Sequence, residues 1–163
     1  MLQQIDIPMT IIPYKTETLV STLPPNEVLL RLHLATMPAE KREKGSDMVF
    51  QGIIADDHFR ISQNLRHPNN FVPMIEGTLD ETSHGSIIFI KYKLFFSSVM
   101  FLVFWTFVTI GVGAFLIFTN NSFWYAGLAF FLGALNYLIV ILNFNKQVGI
   151  SHNLLLERLN ISN

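Results

Sequence analysis

From residue 94 to residue 118 the chain carries no charged side chain, and after Thr119, Asn120, Asn121 and Ser122 a second uncharged apolar run extends from 123 to 144. The runs are 25 and 22 residues long. About 20 helical residues cross a hydrocarbon core roughly 30 Å thick, so each run is long enough to span one. Neither keeps the polar face that a helix packed on a water-soluble core retains. The pattern therefore predicts two transmembrane helices. The linker of four residues allows only an antiparallel hairpin, with both outer ends on one side.

Upstream the period changes. Residues 48–55 and 58–64 read as strands separated by Asp56 and Asp57, the length of a tight hairpin turn. Residues 71–80 and 86–92 form a second pair around the acidic, Gly-containing turn 81–85. Phe50, Gly52 and Ile54 share one face, as do Phe59 and Ile61 on the next strand. In 86–92, Ile88, Ile90 and Tyr92 oppose Ile87 and Phe89, so both faces are partly apolar. Such a strand suggests a sheet that curls around something, or one covered by a helix on one side and by membrane or ligand on the other.

Residues 5–13 predict a further strand, shortened or held at an edge by Pro8 and Pro13. Ser21 to Glu27 reads as a helix start, with a hydroxyl cap, prolines in the first turn and an early acid. Val28, Leu29, Leu32 and Ala35 then give an apolar face for docking on the sheet, and Pro38 is the stop signal. The mixed-charge run 39–47 reads as a solvated loop. Residues 145–163, with Leu154, Leu155, Leu156 and Leu159, predict a short amphipathic helix packed on the sheet or lying along the membrane. The expected fold is an α+β membrane protein. A mostly antiparallel β-meander with one N-terminal helix fills 1–93, a two-helix transmembrane hairpin fills 94–144, and a short helical tail ends the chain.

Charge sharpens this division. Residues 1–93 hold nine of the eleven Lys and Arg and eleven of the twelve Asp and Glu. Lys91, Lys93 and Lys146 flank the outer ends of the apolar runs, while the linker has no charge. The positive-inside rule then places both termini and the β domain in the cytoplasm. Met1 to Asp6 lacks the basic start and apolar run of a signal peptide, which agrees with that orientation. Trp124 and Tyr125 follow the linker, at the depth where amphipathic rings meet headgroups. A formal charge of −1 without a basic stripe argues against nucleic acid as a partner. The absence of cysteine excludes disulfides, thiolate nucleophiles and Cys-ligated metals. A soluble part of 93 residues has a small core, so it is expected to lean on the hairpin or on another subunit.

Candidate chemistry is sparse. His33, His58, His67, His84 and His152 are scattered, with no paired spacing for a metal, and no cofactor motif is present. The best polar cluster is Arg60, Arg66, His67, Asn69 and Asn70, on or beside the loop between the second and third meander strands. It suits an anionic ligand or headgroup, although Asn and Pro are also ordinary loop formers. Within the apolar runs, Thr109/Gly113 and Ala129/Gly133 are pairs of small residues that let helix backbones approach. Asn136 and Asn143 are assigned to helix–helix packing with them, since neither run holds an ionisable residue that would mark a transport path.

The string Phe50-x-Gly52-x-Ile54, Phe59-x-Ile61, Asn70-Phe71-x-Pro73-x-Ile75-x-Gly77 and Gly85-Ser86-x-Ile88, after a Lys15-Thr16 start, resembles a family of small bacterial membrane proteins. In that family a meander of strands precedes two membrane helices. The resemblance covers residues 13–144; the extra Pro68 in the loop departs from its pattern. It implies fold and topology, and no activity; the location expected for the chain is the inner (cytoplasmic) membrane. The role expected is a membrane-anchored binding or interaction module, partnered by the bilayer and by a second copy or another membrane protein. The alternative is a ligand- or lipid-sensing β domain coupled to an effector hairpin. An enzyme is disfavoured, because the membrane segments hold no acid, histidine or cysteine.

Overall fold

The computed structural model describes residues 13–38, 48–65, 71–120 and 123–160. The expected strand at 5–13, all but Pro13, and the charged run 39–47 lie outside them. Nine elements follow in order: β1 (Tyr14–Ser21), α1 (Pro25–Ala35), β2 (Thr36–Pro38), β3 (Phe50–Ile54), β4 (His58–Gln63), β5 (Met74–Thr82), β6 (Gly85–Lys93), α2 (Phe96–Asn120) and α3 (Phe123–Leu159). The fold is α+β, with a sheet of six strands in the order β1-β6-β5-β4-β3-β2.

The four meander strands form where the alternation puts them, antiparallel from β3 to β6. Two additions make the sheet larger than the meander, and mixed. β1 pairs antiparallel along β6 from Tyr14↔Lys93 to Ser21↔Ser86. β2 pairs in parallel with β3, Thr36 to Pro38 against Phe50 to Gly52. It arises because α1 stops at Ala35 rather than running to Pro38. Thr36 is already extended, at φ −116° and ψ 126°, and Met37, which precedes a proline, is disfavoured in a helix. A proline at the end of an edge strand leaves no ladder bond unmade in the interior. At its other end α1 has Pro25 in the first turn and no side-chain cap. The Ser21 hydroxyl instead accepts from the Leu23 amide, at 3.1 Å.

One face of the sheet carries Phe50, Phe59, Ile61, Ile75, Ile88 and Ile90, all essentially inaccessible. Val28, Leu29 and Leu32 of α1 join this core, so α1 docks as its apolar face predicts. The remaining cover comes from the end of α3. Residues 145–159 are not a separate short helix, as the sequence suggested, but the continuation of a single 37-residue helix about 55 Å long. Its buried positions Val140, Phe144, Val148, Ser151, Leu155 and Leu159 keep one helical stripe across the expected break. No proline or cap interrupts it. The helix ends where Asn160 turns left-handed, at φ 56°, and Arg31 of α1 donates to the Leu159 carbonyl at 2.8 Å.

The first part of α3 packs against α2. Both helices are long and apolar enough to span a membrane, and most of their large side chains are exposed.

Candidate functional site

The second face of the sheet is uncovered over much of its area, and its register assembles the charges. Arg60, Glu76 and Lys91 stand side by side on β4, β5 and β6, with Lys93 two residues further along the same face. Glu76 lies 3.6 Å from Arg60 through one oxygen and meets Lys93 with the other. Among the described residues, three cations thus share this row with one carboxylate.

Beside the row a recess of about 680 Å³ opens where the first turn of α2 passes over the ends of β3 and β4. Gln51, Ile53, Arg60, Ser62 and Met74 line it from the sheet. Phe95, Phe96 and Val99 line it from the chain entering α2, where the Ser98 and Val99 amides both bond the Phe95 carbonyl. The floor is polar. Gln51 Nε2 donates to Ser62 Oγ at 3.4 Å, and Arg60 Nε donates to Met74 Sδ at 2.9 Å. Ser62 is only 6 % exposed although it points away from the core, with the Gln51 amide reaching across to its hydroxyl. The walls are apolar, so the recess offers a charge at one end and hydrocarbon at the other.

Of the cluster proposed from sequence, Arg60 lines this recess. Arg66, His67, Asn69 and Asn70 lie outside the described residues. Near the opposite end of the sheet, Asp57 and His58 pair at 2.6 Å, and the hydrogen bond from His58 holds the Asp57 carboxyl below its ordinary value. Both groups are exposed, and a tight turn accounts for the contact. Among the described residues no three His, Asp or Glu side chains gather as a metal ion requires.

The covered face holds a polar cluster that sequence reasoning did not single out. Glu17 of β1, Tyr92 of β6 and His152 of α3 meet beneath the helix. His152 Nδ1 is 3.0 Å from Glu17 Oε2 and 3.4 Å from Tyr92 Oη. Glu17 Oε2 is shielded from solvent and makes no well-aligned hydrogen bond there. Burial, reinforced by the Glu17 charge, raises the Tyr92 hydroxyl far above its ordinary value and keeps it protonated. No periodicity links residues from three distant elements, so only the fold reveals the cluster.

In the hairpin, the pairs of small residues face one another's helices. A Cβ on Gly133 would stand 2.7 Å from Thr109 Oγ1, and one on Gly113 would stand 2.5 Å from the Phe130 ring, next to Ala129. Asn136 is half-buried on α3, and Asn143 Nδ2 donates to the Ile139 carbonyl of its own helix at 2.8 Å. No protein-family model, curated protein or solved structure matches the chain.

Proposed function

We propose that the chain is a membrane-anchored binding module, in which α2 and the first part of α3 cross a bilayer as a hairpin and hold the sheet at one surface. One observation carries this reading: α3 leaves an apolar, outward-facing hairpin and enters the core of the sheet domain without a break. Phe104, Phe107, Phe115 and Phe118 on α2, with Trp124 and Phe131 on α3, are exposed. In water such a surface drives association; in lipid it is the ordinary outside of a helix pair. Lys91, Lys93 and Lys146 at the domain end of the hairpin favour the cytoplasmic side for the sheet and both termini. An inner-membrane location belongs to this reading. The uncovered sheet face is the binding surface, for a second copy or another membrane protein, and no catalytic step belongs to this reading.

The recess favours a second reading, in which the domain senses a ligand held between sheet and α2. Affinity purification of the full chain in mild detergent tests the first. A stoichiometric protein that is lost when Ile53 and Phe89 on the open face are changed to Asp supports it. Recovery of the chain free of protein partners counts against it. Reporter fusions after Asn163 and within the linker at Asn120 test the orientation; an external signal from the C-terminal fusion would reverse it.

A further inference from the structure

We propose that the recess between the sheet and α2 holds one anionic phospholipid of the surrounding bilayer, its phosphate at Arg60 and its chain along α2; this rests on the membrane-anchored reading above. Three features of the site select this ligand. Arg60 lines the recess, and in the row beside it Arg60, Lys91 and Lys93 share, among the described residues, the one carboxylate Glu76, so the flank of the site has a positive surplus. Glu76 holds Arg60 and Lys93 together while neutralising only one of them. The Arg60 side chain remains 60 % exposed, open to a phosphate that accepts charge-assisted hydrogen bonds.

The opposite wall supplies the second feature. Phe96 and Val99 line the recess, and on the same side of α2, at helical spacing, follow Met100, Val103 and Phe107, all exposed. They continue the recess as an apolar track along the segment that crosses the bilayer. Depth is the third. The recess sits within the first turn of α2, so it lies at headgroup level whenever the helix spans. A soluble anion would satisfy Arg60 and leave the track bare, whereas a zwitterionic lipid would fill the track and gain little from the positive surplus.

The test uses the full chain in neutral detergent micelles containing equal amounts of phosphatidylglycerol and phosphatidylcholine, with bound lipid counted by native mass spectrometry. One phosphatidylglycerol per chain is expected, enriched about fivefold over phosphatidylcholine, the scale of a partly exposed ion pair. Arg60→Gln should abolish the enrichment by removing the charge. Ile53→Glu, at an exposed position lining the recess, should do so by adding an opposing one. Equal retention of the two lipids overturns the proposal, as does enrichment that survives both substitutions. Displacement of the lipid by glycerol phosphate also overturns it, making the site one for a free phosphate. A chain that stays monomeric in water after detergent removal removes the membrane reading itself. A chain that needs the micelle yet shows no lipid preference removes this site alone.

Discussion

Gly52 shows how a single residue sets the approach of two neighbouring strands. Its φ of +154° and its closeness to β4 leave no room for a side chain, since a Cβ there would lie 2.2 Å from the Arg60 carbonyl oxygen. That oxygen belongs to the backbone and cannot swing aside. Gly52→Ala should therefore destabilise the protein by about 2 kcal/mol or more, the cost of forcing atoms into a filled space, and should displace Arg60. A thermal melt within a degree of wild type would show that the two strands separate readily. Tyr92 gives a residue-scale prediction that depends on pH. Its hydroxyl is held protonated in the fold first by burial and then by Glu17, so the unfolded chain releases that proton first. The stability it contributes is complete below its ordinary value of 10.0 and is lost as the pH rises towards the higher folded value. Tyr92→Phe should cost about 1 kcal/mol near neutrality, as the hydroxyl's contact with His152 is lost, and that deficit should shrink above about pH 10. A constant deficit across the alkaline range would mean that the hydroxyl does not titrate with unfolding.

Among the elements, α3 departs most from its sequence pattern, and the reason is instructive. Loss of hydropathy after Phe144 reads as the end of a span, but the buried stripe through Val140, Phe144, Val148 and Leu155 continues unchanged. Only the medium on its other side changes. Gly149 is the weakest helix former at this junction, and a Cβ there would meet nothing within 4 Å. Gly149→Ala should raise stability by about 0.8 to 1 kcal/mol, while Gly149→Pro should break the link by removing a helical bond. A thermal melt lowered by Gly149→Ala would indicate that a bend at this point is used. The strands were legible for the opposite reason. From β3 to β6 an apolar residue faces the core at nearly every second position, and the turn residues fall between. β1 was not legible, because it sends Lys15 and Glu17 towards the covered side as well as Leu19. Charged residues facing inward mask the alternation, and only α3 above them supplies the partner His152. The candidate site was legible in one residue, Arg60. Its walls are contributed by α2, whose passage over β3 and β4 is decided by tertiary packing and not by local pattern.

At the scale of the whole molecule, the sheet domain is built to be incomplete without α3. Its core face holds Phe50, Phe59, Ile61, Ile75, Ile88, Ile90 and Tyr92, and α1 supplies only Val28, Leu29 and Leu32 to cover them. Further cover comes from Val148, Leu155, Leu156 and Leu159, buried along the C-terminal end of α3. Burying one such side chain stabilises by about 1.5 to 3 kcal/mol, so four of them approach the whole stability of an ordinary small domain. A fragment ending at Lys93 keeps every strand and α1 but loses this cover, and Glu17 loses His152. It should aggregate, or give poorly dispersed amide resonances, at room temperature. Adding a peptide of residues 145–160 should restore dispersion, because the missing surface and not the missing anchor is the defect. Sharp, dispersed spectra and a cooperative melt from the bare fragment would show instead that the sheet closes on itself. The helix pair would then be a passive tether, and α3 would have no means of passing a change at the recess into the hairpin.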